Sequence, residues 1–448
     1  MAMGRRLALA AFAAFALLAA PAVAGAATYY VSAAGSDGAA GTESAPWRSV
    51  GKVNATSFAP GDVVRFRGGD VFTDSTLMPR SSGAAGAPVT FTSYGSGRAT
   101  ISNASGAVWF SGKQWLTFDN LVFTTGNAAK NVFAGSGGAG STDITIQNSV
   151  VENGAGVGII APTAADTRWT IRNNTIRHIG DSGMILLSPA TTVDGNTIVD
   201  TGWNSSITYA KHGIYAKARD LTIADNDISR SADGQAVSIR FAGARVVGNR
   251  IHDTGYAFGF FDYDTGSAGT SYIYGNTVWN LNGYAFYYSG QRDPSGALPT
   301  VDFVVASNTF ALTGGEAVNV SESGSARVTL RNNVFTGSYG SALRTAATTV
   351  ASHNLWHGAS SNVPSGTGDV RVAPALSAAP ELAPLPGSPV LDAGTTSVPS
   401  LTYTPSCDKK PLAYCAAAPE LGAVEADAAP LPLGAPSNLV ASSGAAAQ

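Results

Sequence analysis

Two cations and two carboxylates are the residues of this chain best placed for chemistry. Lys217 and Arg240 each follow a short apolar run, Ile214-Tyr-Ala and Val237-Ser-Ile, in two successive segments of similar pattern. Held side by side about 5 Å apart, they repel by about 1 kcal/mol or more at surface dielectric. Each also pushes the other's pKa downward. An anion between them, such as a uronate carboxylate, relieves the repulsion, and a Lys of lowered pKa can act as a general base. The plainer reading is two solvated cations balanced by Asp220 or Glu316, since outward Lys and Arg are common. The carboxylates are Asp262 and Asp264. Two residues apart on a strand, they share one face about 7 Å apart. That lies within the range of about 6.5–9.5 Å used by inverting glycoside hydrolases. Calcium binding, pairing with Arg240 or capping a turn are their other uses. His212 can supply an acid or base or orient a turn, whereas His178, His252, His353 and His357 read as structural.

These residues need a scaffold, and composition describes it. Gly accounts for 52 of 448 residues and charged residues for only 13%, against usual shares of about 7% and about 25%. Hydrophobic content is 44%, enough for a large core and too much for disorder. A net charge of −3 leaves no footprint for nucleic acid and no polybasic segment for lipid. Two cysteines exclude a disulfide framework and a four-cysteine zinc site. A Gly-rich, β-branched, charge-poor chain reads as all-β.

An internal repeat decides which all-β fold. A β-branched run, an Asn, one residue, then an apolar residue recurs at Asn120, Asn148, Asn174, Asn196, Asn226, Asn249, Asn276, Asn308, Asn333 and Asn354, in steps of 21 to 32 residues. Each unit carries a second apolar strand after a Gly, as in Gly183-Met-Ile-Leu-Leu and Gly213-Ile-Tyr-Ala. A unit of three short strands cannot bury its own apolar face. Stacked units bury a continuous core at about 4.8 Å per coil. Asn suits the repeat because it tolerates the left-handed region in a tight bend and can bond to its counterpart in the next coil. The expected fold is a right-handed parallel β-helix of about ten or more coils, its hand following parallel crossovers. Pro46 to Ser57 has helical apolar spacing (Trp47, Val50, Val53) and is expected to form a short N-terminal capping helix. Gly61 to Phe66 and Val89 to Tyr94 are opening strands.

Alternation along the Gly-led strands sorts their side chains. With Ile214, Val237, Phe258, Phe286 and Val318 inward, one outward column reads Ile185, Tyr215, Ser238, Gly259, Tyr287, Asn319. The other reads Leu187, Lys217, Arg240, Phe261, Ser289, Ser321. Tyr256, Phe258, Phe260, Phe261, Tyr263, Tyr284, Phe286, Tyr287 and Tyr288 concentrate aromatics here. Half belong to the core, and the outward half makes a sugar-stacking platform. Expected substrate contacts are Tyr215, Tyr256, Phe261, Tyr287, Arg292 and Asn319. Trp203 and Tyr209 would form one groove wall and the segment after Gln291 another. Glu316 and Glu322 have no evident partner.

Tyr29-Tyr-Val-Ser, Gly41-Thr, Ala45-Pro-Trp and Pro60-Gly-Asp62, with Gly387-Ser-Pro-Val-Leu-Asp392 and Leu421-Gly-Ala-Val-Glu425, resemble the ends of secreted polysaccharide-degrading β-helix proteins of the pectate-lyase-like superfamily. That resemblance implies a substrate cleft on the Gly-led face. Tyr215-Ala-Lys217 through Asn226, followed by Ser238-Ile-Arg240-Phe and Gly248-Asn249, resembles the active-site coils of the alginate lyase and chondroitinase B family. The resemblance implies β-elimination on an acidic polysaccharide, with Lys217 as base and Arg240 neutralising the uronate. The family's calcium-binding Glu pair stands here as Ala210 and His212, and its His after the Arg as Phe241. Calcium therefore stays a candidate cofactor without its usual ligands. The alternatives are an inverting hydrolase using Asp262 and Asp264, as polygalacturonases use Asp residues on this face, and a non-catalytic glycan-binding β-helix. The polygalacturonase Asp-Asp, Gly-His-Gly and Arg-Ile-Lys signatures are absent.

Residues 1–27 read as a secretory signal: Arg5 and Arg6, an apolar run of 14 residues, then Ala22-Val-Ala24 or Ala24-Gly-Ala26 for cleavage. The run is too short for a stable span, so an exported protein without membrane contact is expected. Outside the cell Cys407 and Cys415 can close a disulfide. Residues 28–426 form the β-helix domain. Residues 427–448, rich in Ala, Pro and Ser, form a tail or linker whose Gly434-Ala-Pro-Ser faintly resembles the start of a fibronectin type III module. A monomer is expected.

Overall fold

The structure, a computed structural model, describes residues 25–135, 138–262, 269–290, 300–322, 326–345, 347–406, 411–415 and 417–426. These form a right-handed parallel β-solenoid. Its three long sheets hold 13, 12 and 11 strands, and strand order follows the coils one by one. The described residues thus wind through about eleven turns. Most coils contribute one strand to each sheet, and the inward residues are mostly apolar, with a short buried polar run at Thr201, Ser231 and Thr254. Ile146, Ile171, Val193, Ile223, Val246, Ile273, Val305 and Leu330 form one fully buried row of the core. Val50 and Val53 of the helix Val50–Ala55 join the same core, and Ser49 caps that helix by accepting the N–H of Lys52. Gly61 to Phe66 and Val89 to Tyr94 supply the expected opening strands, Val63–Arg67 and Val89–Tyr94. No helix of the described residues is long and apolar enough to cross a membrane.

The repeated Asn does two jobs, and the sequence expectation merged them. From Asn174 onward the Asn points inward at a corner. Its Nδ2 donates to Oδ1 of the next Asn at 2.9–3.0 Å, through Asn196, Asn226, Asn249, Asn276, Asn308, Asn333 and Asn354. The ladder ends at Ser149, whose N–H reaches Asn174, and at Asp369, which receives the N–H of Asn354. The left-handed residue is the one before it: Asn173, Asp225, Ser307, Asn332 and His353 have φ of 50° to 56°. At Gly248, which holds this place in one coil, a Cβ would stand 2.1 Å from Asp225 Oδ1. Asn120 and Asn148 are themselves left-handed, at 53° and 51°. They align with Asn173 rather than Asn174, so those two repeats shift by one residue. The short polar side chain serves the bend in one place and the ladder in the other.

Candidate functional site

The 11-stranded sheet carries the Gly-led strands. Ile214, Val237, Phe258, Phe286 and Val318 are all fully buried, as alternation requires. Cross-coil pairing aligns Ile185, Tyr215, Ser238, Gly259, Tyr287 and Asn319 in one outward row. The second row holds through Phe261 and Ser289 and then departs. The register shifts after Tyr288, so Ser289 faces Glu322 and not Ser321. The expected split of the aromatics is found: Phe258, Phe260, Phe286 and Tyr288 are core. Tyr215, Tyr256, Phe261, Tyr284 and Tyr287 stand half-buried on the outer face.

Those outer rings are continuous. Tyr256 stacks on Tyr284 at 5.5 Å between centroids, Tyr284 meets Tyr287 at 5.2 Å, and Tyr287 meets Phe261 at 5.3 Å. Arg240 extends the row. Its guanidinium carbon lies 4.2 Å from the Phe261 centroid and 5.1 Å from that of Tyr215. Tyr215 in turn stacks on His212 at 5.5 Å. Cation–π contact fixes a planar guanidinium by its faces and leaves its N–H edges to be shared with polar partners. Lys217 leaves its strand one position beyond Ala216, whose carbonyl accepts the N–H of Arg240. The two cations therefore sit on neighbouring rungs, as expected. Asp220 is an exposed turn residue.

His212 is buried at the corner before its strand. Its Nδ1 accepts the N–H of Gln235 at 3.1 Å, so the neutral ring carries its proton on Nε2. Burial, and then the charge of Arg240, push its pKa down to about 4. The site surrounding it was only partly foreseen. Asp181, the counterpart of Lys211 one coil earlier, is buried. It accepts from the N–H and Oγ of Ser182 (2.6 and 3.2 Å) and from the Tyr209 hydroxyl (2.5 Å). That bond to a carboxylate, with burial, raises the Tyr209 pKa to about 12. Lys211 is buried too; its Nζ meets Asp233 at 2.7 Å and the carbonyls of Asn204 and Ile207 at 3.2 and 3.3 Å, which ties down the insert before His212. Position in the repeat was the available signal: both residues stand two before the Gly that opens a strand.

Two expectations need correction. Glu316 does not balance Lys217 or Arg240; it pairs with Arg344 at 2.5 Å and accepts from Asn319 at 2.5 Å, several coils away. Trp203 does not wall the groove with Tyr209, because it stacks on His178 of the 12-stranded sheet at 5.1 Å. Glu316, Arg344, Tyr256 and Tyr284 instead line an open depression of about 460 Å³ with Asn282. Asp262 ends its strand with its side chain outside the described part of the structure. Asp264, Arg292, Tyr263 and Cys407 lie outside the described residues, while Cys415 is engaged in a disulfide.

Calcium does not fit the positions at which the resembled family holds it. One is Ala210, and the other, His212, already uses Nδ1 as an acceptor. Among the described residues no three His, Cys, Asp or Glu side chains cluster so as to hold a metal.

Residues 203–355 match the family described as right handed beta helix region. Among solved structures the chain is similar to XylC in complex with xylose, with TM-score 0.53 and 11% identity over 78% of this chain and 87% of that one. It is also similar to the pectate lyase Pel9A, with TM-score 0.48 and 14% identity over 89% and 96%. A lacto-N-biosidase from Eubacterium ramulus gives TM-score 0.44 and 15% identity over 73% and 67%. No curated protein matches. The family match and the XylC likeness define the class as a right-handed parallel β-helix, and at such identity the likeness is of fold.

Proposed function

We propose that the protein is an exported lyase that binds an acidic polysaccharide across the 11-stranded sheet and cleaves it by β-elimination. The observation that carries this reading is Arg240 clamped between Tyr215 and Phe261, beside Lys217, in an otherwise aromatic row. Sugars stack on such rings, and a planar guanidinium with fixed faces matches a planar carboxylate. A β-helix of this kind with xylose bound, XylC, supports a sugar as the ligand.

In the reaction the C5 proton of a uronate passes to Nζ of Lys217. The electron pair spreads into the carboxylate, whose growing charge Arg240 stabilises. The C4–O bond then breaks, its oxygen takes a proton from solvent, and a C4–C5 double bond remains. His212, neutral above pH about 4, offers Nε2–H as a donor. The signal in residues 1–27 brings the enzyme to extracellular polymer, where it works as a monomer.

The test is incubation with alginate, polygalacturonate, chondroitin and neutral polysaccharides. Ultraviolet absorbance from the new double bond, lost in Lys217→Ala, is expected. New reducing ends without that absorbance overturn elimination. If Asp262→Ala alone then abolishes them, the reaction is hydrolysis.

A further inference from the structure

Under the aromatic row lies a notch at Gly259. Ser238 pairs with Gly259 across the coils, and although it points outward it is 0% exposed. Among the described residues its Oγ has no hydrogen-bond partner, and neither does the buried Oε1 of Gln235. A Cβ on Gly259 would stand 2.7 and 2.8 Å from Cγ and Cδ of Gln235 and 2.8 Å from Cε2 of Phe261. Both side chains therefore lean over the glycine and close the notch from above. Buried polar atoms without partners are costly and rare in native proteins. Two converging on one glycine under a ring mark a place kept for a ligand.

We infer that Gln235, Ser238 and Gly259 form a sugar-hydroxyl subsite, opened when the Gln235 side chain turns aside to meet the polysaccharide while the Phe261 ring keeps its place on Arg240. The inference rests on the proposed glycan-binding face and names a contact within it. The chemistry selects the group. An amide carbonyl only accepts, and a serine hydroxyl donates and accepts. A sugar hydroxyl satisfies both, whereas a carboxylate has no proton for Gln235. Arg240 stands two residues beyond Ser238, about 7 Å along the strand. The carboxylate and one hydroxyl of the same uronate are thus read by separate groups.

Ser238→Ala and Gln235→Ala test this, with tetrasaccharides of polyguluronate, polygalacturonate and chondroitin as probes in titration calorimetry. Each substitution is expected to weaken the tetrasaccharide that binds wild type by about tenfold. Ser238→Ala should also leave Tm unchanged or raise it by about 2 °C, since it removes an unsatisfied hydroxyl. Unchanged affinity in either variant overturns the subsite, as does a fall in Tm for Ser238→Ala or no binding of any probe to wild type. Lys217→Ala separates the two readings. Loss of turnover there, with Ser238→Ala binding as wild type, sinks the subsite and keeps the lyase. Retained turnover there, with weakened Ser238→Ala binding, does the reverse.

Discussion

The Arg240 guanidinium lies 4.2 Å from the centre of the Phe261 ring, one coil further along the same sheet face. A flat cation held by its faces differs from a point charge at the same place, and that difference can be measured. Arg240→Lys keeps the charge and loses both the stacking and the paired N–H edges. It is expected to lower kcat/KM on the uronate polymer at least about a hundredfold, with little change in Tm. Wild-type turnover in Arg240→Lys would remove the clamped guanidinium from the mechanism.

His212 makes stability depend on pH with a predictable sign. Its folded pKa is about 4 against an ordinary histidine value of 6.5. Between these values the unfolded chain binds a proton that the folded protein refuses. The contribution is therefore complete above pH 6.5 and is lost as pH falls toward 4. Its full size is about 3 kcal/mol. Urea unfolding of wild type and His212→Gln at pH 7 and pH 4.5 checks this. Wild type should lose about 2–3 kcal/mol more than the variant, and equal losses contradict a neutral buried ring.

His252 runs the other way. Burial opposes its charge, but hydrogen bonds to Asp227 at 3.1 Å and Asp253 at 2.7 Å prevail and raise its pKa. Such a group stabilises fully below the unfolded pKa, and the benefit fades as pH rises through the folded one. His252→Gln should thus cost more at pH 5.5 than at pH 9. Thermal melts at both values test it; a cost independent of pH would mean that the ring matters only through its stack on Trp279.

The ladder ties together the coils between Ser149 and Asp369. Asn249 donates to Ile223, Val247 and Asn276 and accepts two bonds from Asn226. Asn249→Ala strands several buried polar groups and should cost about 3–5 kcal/mol in urea unfolding. Asn148→Ala should cost less, through strain at its left-handed φ of 51° and the loss of one part-buried hydrogen bond to Asp119. Equal losses would show that the two positions are equivalent after all.

The repeat alone was enough to specify the solenoid. Inward apolar residues, an Asn and a Gly-led strand recur in most coils, and each recurrence excludes other folds. Alternation was enough to place Tyr215, Ser238, Tyr287 and Asn319 in one row, because a parallel ladder carries in-and-out order from coil to coil. Only the tertiary structure could decide partners between rungs. Coil lengths vary from 21 to 32 residues, so a one-residue shift at Asn148 or a register shift after Tyr288 leaves composition and pattern unchanged while altering which atoms meet. That is why Glu316 is found with Arg344, Trp203 with His178, and Asp181 beneath Tyr209. The protonation of His212 and the closed notch at Gly259 belong to the same category. Both depend on burial produced by neighbours a coil away, which no linear spacing records.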